Sequence, residues 1–133
     1  MQLKDYFAEA KGIGVLSTAD KTGKVDAAIY AKPHVMADGT IAFIMRDRLT
    51  HYNLKENPHA VYLFIEAVSG YKGIRLFLKK VREETDAELI QKMTRRCLSP
   101  EEDEAKGPKF LVCFDIEKAL NLIGDGTPDI TMA

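Results

Sequence analysis

AIYAKPHVMADGTIAFIMRDRLTHYNLKEN, residues 28–57, decides how the rest of the chain is read. Its first part is a strand that Pro33 ends or bulges, because proline has no amide hydrogen to give to a ladder. The Asp38-Gly39 pair is a tight-turn signal, and it leads into IAFIM, a strand ending at Met45. Arg46, Arg48, Thr50 and His51 follow on a loop that opens a short helix over 50–57. Pro58 stops that helix, since the residue before a proline avoids helical angles. Two guanidiniums, a hydroxyl and the unpaired amides of a helix N-terminus, delivered to one small region, are what a phosphate requires.

Upstream, Leu3, Tyr6, Phe7 and Ala10 recur at helical spacing and predict an amphipathic helix closed by Gly12. GVLSTA, DKTGK and VDAAIYA then read as strand, Gly-containing turn and strand. With IAFIM they predict a three-stranded meander of sequential antiparallel hairpins. Downstream, residues 60–66 (AVYLFIE) are almost continuously apolar, the pattern of a strand buried on both faces. VSGYKG forms a turn. Ile74, Leu76 and Leu78 alternate with Arg75, Phe77 and Lys79 on a long strand running on as KKVREE. Phe77 interrupts its polar face and is expected against a helix or a second subunit. Leu89, Ile90, Met93 and Cys97 place a crossover helix over 86–97, capped by Thr85 or Asp86. SPEEDEAKGP reads as a mobile acidic surface loop, and residues 109–123 as the closing strand.

The expected fold is mainly β in a single domain over 1–133: a small antiparallel barrel of six strands, whose closure removes exposed edges. A chain of 133 residues can bury a substantial core. Lys plus Arg number 19 against 20 for Asp plus Glu, so charge advertises no nucleic-acid or acidic-membrane partner. No signal-peptide pattern and no membrane-length apolar run is visible, and the expectation is a cytoplasmic protein. Cys97 and Cys113 have no metal or redox spacing and read as reduced packing residues. None of the three histidines falls in a metal-binding arrangement, and no nucleophile-base or paired-carboxylate site is seen.

These elements, in this order, resemble the pyridoxamine 5′-phosphate oxidase-like FMN-binding split-barrel family. The matching features are GVLSTA with its polar Gly turn, the strand ending Ala31-Lys32-Pro33, and the Asp38-Gly39 turn into IAFIM. HYNLKENPHAVYLF follows the family's "NL..NP..V" junction, and SGYKGIRLFL precedes a crossover helix; the match spans residues 6–122. The resemblance implies a six-stranded antiparallel split β-barrel of Greek-key type with an N-terminal and a crossover helix. It also implies a homodimer with FMN at the subunit interface.

Carried over, Met45, Arg46, Arg48, Thr50 and His51 would surround the phosphate, and Tyr30, Ala31 and Lys32 would face the flavin ring. Tyr71 and Lys72 would reach the cofactor or the partner subunit. Many members carry a lysine where this chain has Thr50, which shifts the charge onto the two arginines. Each residue also has a plain structural reading: Arg46 and Arg48 as a solvated pair flanking Asp47, Thr50 as a helix cap, His51 as a surface histidine, Tyr30 as a covered barrel residue. The implied function is an FMN-dependent oxidoreductase moving hydride or electrons to or from a small-molecule redox substrate. The alternative is a non-catalytic flavin or haem carrier.

Overall fold

In the computed structural model, which describes residues 1–94 and 99–132, helix α1 (Leu3–Glu9) precedes strands β1 (Gly12–Ala19) and β2 (Val25–Ile29). These pair antiparallel across the DKTGK turn, where the Asp20 carboxylate accepts hydrogen bonds from the Thr22 and Lys24 amides. The expected meander stops there. Pro33 ends regular pairing, and a two-residue strand, β3 (His34–Val35), pairs with β4 (Ile41–Arg46). On its other side β4 pairs with the last strand instead of β2.

Helix α2 (Leu49–Glu56) leads to β5 (His59–Glu66), and β6 (Gly73–Glu84) follows through an exposed turn. Helices α3 (Ala87–Met93) and α4 (Pro100–Ala105) then precede β7 (Lys109–Asn121). The resulting antiparallel sheet has seven strands, ordered β2-β1-β5-β6-β7-β4-β3, rather than the expected six. It is not closed, so β2 and β3 remain as edges.

The sheet is nevertheless strongly curled. β5 and β4 lie three strand spacings apart, roughly 14 Å in a flat sheet, yet the rings of Tyr62 and Phe43 approach to 4.9 Å between centroids. Inward residues from every long strand except β2 share one core, including Leu16, Phe43, Phe64, Leu76 and Phe114. Helix α1 inserts Leu3, Tyr6 and Phe7 into it, and the C-terminal segment secures that helix through the Leu3 amide bonded to the Thr131 carbonyl. A smaller outer core packs Ile90 of α3 on Ala42, Leu111 and Cys113.

Several expectations change. β5 is not buried on both faces: Ala60, Tyr62 and Phe64 are buried, while Val61 and Leu63 are partly exposed. Phe77 is half-buried beneath the Lys118 ammonium, 5.5 Å from its ring centroid. Asp86 caps α3 as expected, accepting from the Glu88 and Leu89 amides, but the helix ends at Met93 and Cys97 lies outside the described residues. Cys113 is free and buried. The acidic segment forms α4 instead of a loop: Ser99 accepts from the Glu102 amide and Pro100 begins the helix, a capping arrangement that favours helix entry. Among the described residues no helix is long and apolar enough to cross a membrane.

Candidate functional site

The gap between the two sheet edges holds a groove of about 600 Å³. Residues 28–32 line it from the β2 side. Residues 42–46, together with His34, line it from the β4 side, and Arg48, Leu49 and Thr50 contribute the first turn of α2. Met93, Thr94, Lys106 and Lys109 add lining from the α3–β7 region. Seven of the ten residues singled out from the sequence therefore come together here: Tyr30, Ala31, Lys32, Met45, Arg46, Arg48 and Thr50. His51, Tyr71 and Lys72 do not line it.

The wall at Tyr30 is rigidly placed. Its amide donates to the Gly14 carbonyl, continuing the ladder beyond β2, and its own carbonyl accepts from the buried Tyr62 hydroxyl at 3.1 Å. The Tyr30 ring meets Phe43 edge-on. Burial raises the Tyr30 pKa, against the opposing pull of the Thr50 hydroxyl and the Arg48 charge. Lys32 donates to the Ala10 carbonyl at the end of α1. Its ammonium thus serves the fold as well as the groove.

The two arginines have different surroundings. Arg46 is largely buried and donates to the Asp103 carboxylate at 2.7 Å, to the Asp103 carbonyl, and to the Gly107 carbonyl at 2.6 Å. Lys109, its register partner on β7, donates to the same carboxylate oxygen at 2.9 Å. The Lys109 and Arg46 hydrogen bonds hold the Asp103 carboxyl below the usual carboxylate range. Asp103, placed by sequence in a solvated acidic run, is thus the anchor of α4. Arg48 is exposed and, among the described residues, has no ion-pair partner.

Arg48 is also the N-cap position of α2, and no side chain caps that helix. The opening amides of a helix have no intrahelical acceptor, so they remain available beside an unpaired guanidinium. Thr50 is not the cap. It sits one residue inside the helix, buried, with its hydroxyl on Tyr30.

The surface reading of His51 is overturned. The residue has no solvent exposure: Nδ1 lies 2.9 Å from an Asp47 carboxylate oxygen and Nε2 lies 2.6 Å from a Glu83 oxygen. Its ring stacks on Phe110 at 4.0 Å. Tyr71 is 84% exposed on the β5–β6 turn with Lys72 beside it. Sequence reasoning missed Lys106 and Lys109, whose arrival at the groove depends on the β4–β7 pairing. Among the described residues no group of His, Cys, Asp and Glu is arranged to hold a metal ion.

No protein-family model matches the chain, and no curated protein matches it in sequence. Solved structures do. An FMN-binding protein from Syntrophomonas wolfei subsp. wolfei is 21% identical with a TM-score of 0.72, covering 92% of this chain and 85% of its own. HutZ, a haem storage protein from Vibrio cholerae, is 20% identical with a TM-score of 0.66, over 90% of this chain and 94% of its own. A candidate pyridoxamine 5′-phosphate oxidase from Listeria innocua is 16% identical with a TM-score of 0.64, over 91% and 98%. At these identities the likeness establishes the fold, and the resemblance read from the sequence holds at that level.

Proposed function

From a fold shared with pyridoxamine 5′-phosphate oxidase-like split barrels, we propose that this chain is an FMN-binding flavoprotein. The observation that carries the reading is the coincidence, at one groove, of Arg48, which has no ion-pair partner among the described residues, with the uncapped N-terminus of α2. Arg48, the opening α2 amides and Lys106 hold the phosphate. Thr50 keeps Tyr30 in register with that end. The ring lies along residues 30–32, where the hydrogen-bonded amide and carbonyl of Tyr30 give a fixed wall. The groove's volume, about 600 Å³, falls within the roughly 300–1,000 Å³ of small-molecule sites.

Five of its lining side chains are cationic (Lys32, Arg46, Arg48, Lys106, Lys109) and Asp26 is acidic; Asp103 engages Arg46 and Lys109, which leaves the charges of Arg48 and Lys106 to suit an anionic cofactor. When bound, FMN supplies the redox chemistry, accepting and passing on hydride or electrons. The chain's part is to bind, orient and shield it, which agrees with the absence of any nucleophile-base pair in the sequence. The finer proposal is an oxidoreductase acting on a small-molecule redox substrate.

The cofactor site is completed by a second copy of the chain. On the outer face of β1, β2 and β5, Ile13, Val25, Ile29 and Ile65 are all exposed. A continuous apolar sheet face of this kind suits a homodimer interface. Tyr71 and Lys72 stand at its rim beside Ile65 and reach the partner subunit or its cofactor.

A second reading, a haem carrier, draws on His34 in the groove lining and on the haem storage neighbour. Visible absorbance of the purified protein decides between them. A two-banded flavin spectrum retained after FMN loading and washing supports the first reading, and a Soret band retained only after haem loading supports the second. A protein that retains neither overturns both.

A further inference from the structure

Within the core, His51 joins two carboxylates that lie 36 residues apart in the chain, Asp47 before α2 and Glu83 on β6. Each ring nitrogen thus has a carboxylate oxygen within hydrogen-bond distance, 2.9 Å from Nδ1 and 2.6 Å from Nε2. Lys80 stands 3.4 Å from the same Glu83 oxygen, and Phe110 of β7 closes the ring face. The bridge is therefore built from α2, the loop before it, β6 and β7. Its free end is Asp47, one residue before Arg48.

We infer that His51 is a positioning residue for the anion-binding end of the groove, bracing the first turn of α2 and holding the Asp47 carboxylate away from the anion. The inference rests on the phosphate reading given above. Two consequences of the geometry support it. Asp47 immediately precedes the unpaired Arg48, so without His51 its charge would compete for that guanidinium or repel a phosphate. The His51 hydrogen bond also holds the Asp47 carboxyl below the usual carboxylate range, so the bridge favours the ionised, engaged form. Bracing α2 from beneath fixes the direction in which its opening amides point.

The test compares FMN with riboflavin, which lacks the phosphate, in wild type, His51→Gln and Asp47→Asn/His51→Gln, with amide hydrogen exchange measured on the unliganded proteins. For wild type that prefers FMN, His51→Gln lowers the FMN-to-riboflavin affinity ratio about tenfold, or about 1.4 kcal/mol. The added Asp47→Asn recovers most of that ratio without recovering stability, which a merely structural histidine would not allow. An unchanged ratio in His51→Gln overturns the inference.

A wild type with no preference for FMN overturns the phosphate reading instead. The bracing role is then judged on exchange, where His51→Gln must accelerate the hydrogen-bonded α2 amides from Tyr52 onward beyond the global change; equal acceleration everywhere overturns it. Should His51→Gln fail to fold, Glu83→Gln, which leaves the buried ring in place, is expected to move both readouts in the same direction.

Discussion

Replacing Gly14 by alanine tests how the groove wall is held. A Cβ built on Gly14 would stand 1.8 Å from the Tyr62 hydroxyl and 2.3 Å from the ring carbon bearing it. The ring would have to retreat by more than about an ångström to reach a tolerable contact. It has little room, being fully buried with Phe43, Phe7 and Phe64 at centroid distances of 4.9, 6.2 and 6.4 Å. Overpacking of this kind costs roughly 1–3 kcal/mol.

Displacing the hydroxyl also breaks its bond to the Tyr30 carbonyl, worth about 1 kcal/mol. The narrower unfolded ensemble of alanine returns roughly 0.4–1 kcal/mol. The net expectation is a loss of roughly 1–3.5 kcal/mol, which lowers the urea midpoint by about 1 M at ordinary m-values. Tyr62→Leu removes the atoms that the new Cβ would meet, so Gly14→Ala should cost far less in that background. A double-mutant cycle reads the coupling directly. Equal costs in both backgrounds, or an unchanged midpoint in the single variant, would refute the account of how residue 30 is held.

Arg46 and Arg48 should part company. Arg48→Ala is expected to weaken FMN about tenfold, the low end for a charge-assisted bond at an exposed site, and to leave riboflavin binding unchanged. Arg46→Ala should lower stability and loosen α4 with little change in the FMN-to-riboflavin ratio; the opposite assignment of effects would reverse their roles. Because Asp103 has a lowered pKa, its clamp on Arg46 and Lys109 is fully present above the ordinary carboxylate value of 3.8 and disappears as pH falls through its own lower value. The urea midpoints of wild type and Asp103→Asn should therefore differ near neutral pH and converge as pH falls below the ordinary carboxylate value and through Asp103's own lower one; a constant gap would exclude the clamp as its source. Ile13→Lys with Val25→Lys, on the exposed β1–β2 face, should convert a dimer to a monomer in sedimentation, and an unaltered dimer would place the interface elsewhere.

Local pattern carried most of the secondary structure. The α1 stripe, the Asp20 and Asp38 turns, the Asp86 cap and the alternation on β6 each depend on neighbours a few residues away, and all stand in the fold. Even the missed helix α4 had a local signal in Ser99-Pro100-Glu101-Glu102, a capping box with proline at the first helical position. The acidic run and the Gly-Pro that follows oppose that signal and favour a loop. What local pattern could not supply was the partner of β4. A two-strand hairpin is the default after a short turn, but Pro33 breaks the ladder, and β4 crosses to β7, some 70 residues later.

The difference between Arg46 and Arg48 follows from that one pairing. Period-two alternation places both on a single side of an extended strand, which made them equivalent phosphate candidates. Pairing Arg46 with Lys109 brings it against the α4 segment, where Asp103 and two backbone carbonyls take up its donors. Arg48 lies past the end of the strand, at the cap of α2, and keeps its charge for the groove. His51 divides in the same way. Its place in a first helical turn is local and legible, but its burial requires the side chains of Glu83 on β6 and Phe110 on β7 to meet its ring. Residue type thus brought these basic side chains to one end of the groove, whereas long-range strand order decided that Arg46 is taken up by Asp103 while Arg48 stands open to the groove.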